Sequence, residues 1–332
     1  MTPSALRIGI LGAARIAPKA LVQPAREVVG VALRAVAARD TTRAASFAAK
    51  HGIPVVHPSY AALLEDPEID AVYNPLPNGL HGVWTERALR AGKHVLCEKP
   101  FTANADEARA VAAASRETGR VAMEAFHWRH HPLATRLLEI LASGEIGELR
   151  HVEAHLCAPI LNTRDIRYRL DLAGGAAMDM GCYVLHVVRT LGGAEPEVTA
   201  ARAKLLSPGV DRAMEIDLRF PAGATGRAVC SMLSARLLDV SARVEGTRGR
   251  LRVLNPIAPH LFHWLRVESD QGARSERVPG PATYTAQLGA FARVVRGGAP
   301  APTDLEDAIA NMSLIDAAYR AAGLAPRSPT PS

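Results

Sequence analysis

The stretch Arg7-Ile8-Gly9-Ile10-Leu11-Gly12-Ala13-Ala14-Arg15-Ile16-Ala17 decides the fold. Arg7–Leu11 is a short apolar run of the kind a buried strand requires. Small residues follow it, and then a helical stretch through Arg15–Arg26. A strand, a tight turn and a helix in that order aim the free N–H groups of a helix start at an anion. In a doubly wound sheet this is where a dinucleotide pyrophosphate binds, which makes Gly9, Gly12, Ala13, Ala14, Arg15 and Ile16 candidate contacts. Only two of the three glycines of a Gly-x-Gly-x-x-Gly turn are present, and Ala14 stands where the third small residue belongs. Taken alone, the turn also fits a plain small-residue strand end in a core. Its place at the head of a complete α/β rhythm favours the phosphate-binding reading.

That rhythm runs for about 125 residues. Strands are predicted at Val31–Ala38, Asp70–Tyr73, His94–Cys97 and Val121–Glu124. Between them, Thr42 is placed to cap a helix to about His51, and Ser59 a short helix to Glu65. Helices follow around His81–Ala91 and from Asn104, paired with Glu107, to Thr118. The pattern then changes. Val152, Ala154 and Leu156 alternate with His151, Glu153 and His155, and Ile216, Leu218 and Phe220 also alternate with polar residues. Period two marks half-exposed strands of an antiparallel sheet. Further runs at Ala228–Ser234, Ser241–Glu245 and Gly249–Val253 extend it, with late helices near Thr283–Arg296 and Leu305–Ala322. The reading is two domains, 1–125 and 126–324, with a disordered Pro- and Ser-rich tail at 325–332.

The 332 residues are 48% apolar and 22% charged, as in globular proteins generally. No apolar run approaches the roughly 18 residues of a membrane span, and Met1–Leu6 carries no signal segment, so a cytoplasmic protein is expected. Cys97, Cys157, Cys182 and Cys230 form no CxxC pair, which leaves buried thiols as the reading. The formal charge of +6 is spread over scattered arginines without basic blocks, so nucleic acid is not an expected partner.

Arg39 and Asp40 end the second strand. An acid there commonly holds the ribose hydroxyls of NAD, whereas an arginine accommodates the 2′-phosphate of NADP. Arg39 favours NADP, and Asp40 keeps NAD open. Glu98-Lys99-Pro100 follows the strand His94–Cys97, at the carboxyl end where such sheets bind ligands. Lys99 there is either a catalytic ammonium or a lysine snorkelling to solvent. Gly174-Gly175-Ala176-Ala177-Met178-Asp179-Met180-Gly181-Cys182-Tyr183 reads as a glycine turn entering a helix, with Asp179 and Tyr183 on one face and His186 near it. A phenol titrates near ~10, and a neighbouring ammonium lowers that value, so Tyr183 beside Lys99 would exchange a proton with an alcohol or ketone. The plain alternatives are a half-buried helix tyrosine and a first-turn acid favoured by the helix dipole. His186 reads as structural.

Together these segments resemble the Gfo/Idh/MocA oxidoreductases. The resemblance is carried by Gly9–Ala17, Ala37–Asp40, Pro75-Leu76-Pro77-Asn78 with His81, Ala91–Pro100 and Gly174–Tyr183, about half the chain in fixed order. Met123–Arg129 and Ser143–Gly147 are similar to the branch of dihydrodiol dehydrogenases, NADP-dependent xylose dehydrogenases and nucleotide-sugar 3-ketoreductases, and Asp165–Arg169 to the last of these. The resemblance implies an α/β fold: an N-terminal Rossmann domain plus a C-terminal α/β domain with a large, mainly antiparallel open sheet. It implies that Pro75, Leu76, Asn78, His81 and Glu98 line the cofactor and that Lys99 lies by the nicotinamide ribose and substrate oxygen. Tyr183 then takes the acid/base position, which is a histidine in inositol-type relatives, and Asp179 orients substrate or Lys99. Trp128 and Arg129 are implied at the nicotinamide and substrate end.

The expected enzyme is an NADP-dependent dehydrogenase or reductase of a keto-sugar or aldose, then a cyclic trans-diol, then an inositol, in either direction. Arg164, Arg167 and Arg169 would bind an anionic substrate, or form a solvated basic loop. His127, His130 and His131 lack the geometry of a metal site, and none is expected. If the outer face of the second sheet is apolar, a second copy should cover it, giving a homodimer or homotetramer. The rival readings are a dinucleotide-binding sensor or scaffold without catalysis and, more weakly, a nucleic-acid binder.

Overall fold

A computed structural model of the chain describes residues 5–331. They divide into two compact units: the residues up to His127 with Tyr284–Ile309, and Trp128–Thr283 with Ala310–Thr330. The boundary expected after residue 125 thus falls two residues later, and Tyr284–Ile309 returns to the first unit. The physical reason is apolar burial. Leu288, Phe291 and Ala292, on the helix Thr283–Val295, are buried in the same cluster as Ile8, Ile10, Tyr73, Leu96 and Met123.

The first unit holds six parallel strands: β1 (Leu6–Leu11), β2 (Val31–Ala37), β3 (Val55–His57), β4 (Ala71–Asn74), β5 (His94–Cys97) and β6 (Ala122–Glu124). Their order is β3-β2-β1-β4-β5-β6, so the winding reverses between β1 and β4. β3 escaped the sequence reading because it is a three-residue edge strand without alternation. A π-helical turn, Pro18–Val22, leads into α1 (Gln23–Glu27); α2 (Thr41–His51), α3 (Tyr60–Glu65), α4 (His81–Arg90) and α5 (Ala105–Thr118) complete the crossovers. Three caps set helix starts. Asp40, not Thr42, caps α2, its carboxylate accepting from Arg43 N at 3.0 Å. Ser59 accepts from Ala62 N, and Asn104 from Glu107 N at 2.9 Å, while Glu107 reaches back to Ala103 N.

The second unit is built on eight strands: β7 (Leu149–Cys157), β8 (Glu197–Ser207), β9 (Val210–Arg219), β10 (Thr225–Ser231), β11 (Asp239–Gly246), β12 (Gly249–Leu254), β13 (Trp264–Ser269) and β14 (Gly272–Glu276). The order is β14-β13-β12-β11-β7-β10-β9-β8, antiparallel except where β10 pairs with β7. α6 (Pro132–Ala142) and α7 (Cys182–Gly192) bury apolar side chains such as Leu137, Ile140, Val184 and Val188. The sheet's buried positions are Val152, Ala154, Ile216, Leu218, Ala228, Val244, Leu251 and Val253.

The alternate positions carry charge. Arg202 pairs with Asp217 at 2.8 Å, Arg243 with Glu153 at 3.1 Å, and Arg227 with Glu215. His155 lies between Glu153 and Asp239, at 2.7 Å from each. Glu153, His155, Arg202, Glu215, Arg227 and Arg243 border a cavity of about 670 Å³ on this face. The apolar outer face on which the oligomer expectation was conditional is therefore interrupted by charge; the exposed large apolar side chains on these strands are Leu205 and the cross-strand pair Leu254 and Trp264.

The tail also differs from expectation. Arg327 is 3% exposed, and Thr330 donates to the Asp171 carbonyl at 2.6 Å, so composition alone misread a segment that ion pairing anchors.

The Ser143–Gly147 segment finds its role here. Arg274, on edge strand β14, bonds both Glu145 and Glu276, and Arg136 of α6 grips Glu276 at 2.7 and 3.0 Å. The Arg136 bond, with that of Arg274, holds the Glu276 carboxyl at about 2, below its ordinary 4.5. A depressed folded-state pKa stabilises fully above the unfolded value and is lost as pH falls through the folded one. Glu276→Gln is expected to cost about 1 kcal/mol at pH 7. In acid melts the gap to wild type should close between pH 4.5 and 2. A gap that stays constant over that window contradicts the network.

Candidate active site

In the first unit, parallel strands deliver their following loops to one edge. The β1 turn is shaped by Gly12, whose φ of 95° places it in the left-handed region that a side chain disfavours. Its N–H bonds the Ala37 carbonyl at 2.6 Å, tying the turn to the end of β2. Gly9, three residues earlier in β1, admits the Leu63 side chain, which a β-carbon would meet at 2.7 Å. Ala13 is buried; Ala14 and Ile16 are half-buried, and Arg15 is exposed.

At the end of β2, Arg39 and Asp40 are both exposed. Their roles separate, because the Asp40 carboxylate is engaged by the backbone of α2. Arg43, one turn into that helix, donates to the Ala13 carbonyl at 2.7 Å. A second guanidinium thus borders the small-residue turn. Arg43 was missed in the sequence because its distance from the turn is bridged only once Asp40 is recognised as the cap. Tyr60 packs by the Gly12 turn; burial raises its phenol's pKa, opposed by the charges of Arg39 and Arg43.

The loops after β4 and β5 lock together. Glu98 N donates to Asn74 O at 3.0 Å, and the Tyr73 hydroxyl donates to Glu98 Oε1 at 2.6 Å. His81 is fully buried, its Nδ1 2.7 Å from Pro100 O and its Nε2 2.7 Å from Leu76 O. Burial lowers its pKa to about 4, against the pull of both carbonyls. His81 therefore clamps two loops at the strand ends where the resemblance implied a cofactor contact. Lys99, half-buried, sits between Glu98 and Pro100, and its bond to Pro100 is cis. Pro75 and Leu76 are buried and Asn78 half-buried on the loop His81 holds. Tyr73 was passed over as strand core, although its place as the penultimate residue of β4 brings its hydroxyl to this edge.

In the second unit, the glycine turn enters a π-helical turn, Ala177–Gly181, which continues as α7. π turns recur at functional sites. Asp179 pairs with Arg167 Nε at 3.2 Å, and Tyr183 is 7% exposed. Of the three loop arginines, Arg167 thus touches a candidate catalytic group and Arg169 pairs with Asp171, while Arg164 is exposed. Trp128 is 1% exposed and donates its indole N–H to His186 Nδ1 at 3.0 Å. This pair is buried, and Arg129 beside it is half-buried. Among the described residues there is no group of three or more His, Cys, Asp or Glu side chains suited to a metal, and no helix is long and apolar enough to cross a membrane.

Comparison with known proteins agrees with this architecture. Residues 6–126 match the model of an oxidoreductase family with an NAD-binding Rossmann fold, and residues 134–252 match the GFO/IDH/MocA C-terminal domain. The chain is 38% identical over 321 residues to D-xylose 1-dehydrogenase (NADP(+)) 2 of Haloferax volcanii, covering 96% of this chain and 97% of that protein. It is 36% identical over 300 residues to dTDP-3,4-didehydro-2,6-dideoxy-α-D-glucose 3-reductase of Streptomyces violaceoruber, covering 89% and 86% of the two chains. Among solved structures, KijD10, a 3-ketoreductase from Actinomadura kijaniata in complex with NADP and TDP-benzene, superposes with a TM-score of 0.88 at 32% identity, over 95% of this chain and 97% of that one. With both domains matched in order, and relatives that span nearly its whole length, the chain belongs to the Gfo/Idh/MocA oxidoreductase family.

Proposed function

We propose that the chain is an NADP-dependent oxidoreductase acting at one carbon of a sugar-like substrate: a keto-sugar or aldose first, a cyclic trans-diol next, an inositol last. The observation that carries this reading is Lys99 at the carboxyl end of β5, with Glu98 held by Tyr73 on one side and Pro100 by His81 on the other. A half-buried lysine whose neighbours on both sides are held, at the end of a strand where such sheets bind ligands, is placed for chemistry rather than for solvent. Relatives named for NADP-dependent xylose dehydrogenation and for reduction of a dTDP-keto sugar fit the same substrate class.

A bound nicotinamide supplies or accepts the hydride. The turn Gly12–Ala13 takes the pyrophosphate, and Leu76, Asn78 and Glu98 line the cofactor. Arg39, with Arg43 beside the Ala13 carbonyl, takes the 2′-phosphate. Asp40 uses one carboxylate oxygen to cap α2, while Arg39 and Arg43 supply the cations that favour the phosphorylated cofactor. Tyr183 gives or takes the substrate hydroxyl proton. Lys99 favours its phenolate and polarises the substrate oxygen. Asp179, steadied by Arg167, orients the substrate or Lys99, and Arg129 and Arg164 contact the substrate's distal part. A second copy packs against the outer face of the eight-stranded sheet through its charge pairs.

Tyr183→Phe is expected to lower kcat by about 10²-fold or more while cofactor affinity stays near wild type. If instead Tyr183→Phe turns over normally and Lys99→Met is dead, the lysine is the proton donor and the phenol is not. Arg39→Ala and Arg43→Ala should each weaken NADPH binding about tenfold and leave NADH unaffected. A large NAD preference in the wild type, indifferent to Arg39→Ala, contradicts the cofactor assignment. Light scattering should give a dimer or tetramer mass, and a monomer at every concentration removes the sheet-to-sheet assembly.

A further inference from the structure

Behind the glycine turn of the second unit lies a buried ionic cluster that the reaction as described leaves unused. Asp211, on β9, is fully buried. Its Oδ2 accepts the Ala177 N–H at 2.7 Å, at the very start of the helical segment that carries Asp179 and Tyr183. Its Oδ1 accepts from the Tyr319 hydroxyl at 3.0 Å and from Arg327 Nη2 at 2.7 Å. Arg327 Nε then donates to the Gly174 carbonyl at 2.7 Å, and its guanidinium lies 4.0 Å over the Tyr319 ring. One residue of the tail therefore holds the turn twice, directly at Gly174 and through Asp211 at Ala177.

Gly175 shows how tightly the cluster is fitted. Its φ is 136°, and a β-carbon there would lie 2.1 Å from Asp211 Oδ1, 2.7 Å from Arg327 Nη2 and 2.8 Å from the Tyr319 hydroxyl. The glycine is thus needed by the cluster as well as by the backbone. The Gly175 carbonyl in turn accepts from Asp179 N at 3.0 Å, and Asn311 Nδ2 donates to Cys182 O at 3.1 Å, next to Tyr183.

We propose that Arg327 is a positioning residue for the reaction: the C-terminal segment is a strap whose guanidinium sets where Asp179 and Tyr183 stand. This rests on the acid/base reading of Tyr183. Without Arg327, Asp211 is a buried carboxylate facing Tyr319 and a backbone N–H with no cation, and Gly174 O loses its donor. An uncompensated buried charge forces relaxation. The turn is bonded to this cluster at Gly174 O and Ala177 N, so relaxation of the cluster reaches the segment that carries Asp179 and Tyr183, and a displacement of about 1 Å at an acid/base group can cost about 10²-fold in rate.

The test uses the full-length protein with Arg327→Ala, Arg327→Lys and Tyr183→Phe. Turnover is measured with NADP and the fastest substrate in a panel of aldoses and cyclic diols, NADPH binding by fluorescence, and the folded fraction by thermal melt. Arg327→Ala is expected to lose at least about tenfold in kcat, with NADPH affinity within about twofold and the protein folded at the assay temperature. Ethylguanidinium, which fits the vacated space, should restore part of the kcat. Arg327→Lys, which keeps the charge but loses the fork, should fall between. Wild-type kcat in Arg327→Ala overturns the proposal, and so does a loss that merely follows the unfolded fraction and ignores ethylguanidinium. If Arg327→Ala does not fold, Arg327→Lys decides: a reduced kcat at unchanged NADPH affinity supports the strap and a wild-type kcat overturns it. A fully active Tyr183→Phe defeats the acid/base reading itself, whereas an inactive Tyr183→Phe beside a fully active Arg327→Ala defeats the strap alone.

Discussion

Parallel strands all end at the same edge of their sheet, and the first unit is organised by that constraint. Because β1, β2, β4 and β5 run one way, Gly12, Arg39, Asn74 and Glu98 arrive together although up to 86 residues separate them, from Gly12 to Glu98. Loops gathered in this way must then be prevented from drifting, since their backbone groups have left the sheet ladder. Four side chains do this: Arg43 on Ala13, Asn74 on His81 O and Thr85, Tyr73 on Glu98, and His81 on Pro100 and Leu76. Asn74, Tyr73 and His81 are buried and each is satisfied, which is what makes it worth having there, while Arg43 reaches the turn from an exposed position.

The second unit solves a different problem. Its sheet is mainly antiparallel, and the turn before α7 is fixed by one group from the sheet and one from the tail. Asp211 supplies the acceptor from β9, and Arg327 supplies the cation that makes a buried acceptor tolerable. Burial raises the Asp211 carboxyl's pKa, and Arg327 works against it. A buried pair of this kind does little for stability compared with an apolar substitute, but it is selective about geometry, which suits a turn that must present side chains in one place.

The sequence was most readable where local chemistry and global fold agree. The strand–turn–helix at Gly9–Ala17, the Ser59 and Asn104 caps and the period-two runs at Val152–Leu156 and Ile216–Phe220 each announce themselves within a few residues. Interactions across long separations were not readable. Nothing near Asp40 says that it, rather than Thr42, starts α2, although the choice changes the cofactor reading. Nothing in the Pro- and Ser-rich tail marks Arg327, because its partners lie 116 and 153 residues away. The bond from the Trp128 indole to His186 was unreadable for the same reason, because the two meet only in the folded chain. Gly175 could be read as a turn residue, but not as the space an ion pair occupies.

The central claim is that this chain moves a hydride, and does not merely bind a dinucleotide. Its most direct test is transfer of deuterium from NADPH labelled at the nicotinamide C4, followed by mass spectrometry or NMR over the oxidised partners of each substrate class: keto-sugars, aldonolactones and the diketone and ketol counterparts of cyclic diols. One deuterium on the carbinol carbon of a product is the predicted result. Tight NADPH binding with no label in any product would make the protein a dinucleotide-binding sensor and contradict the account.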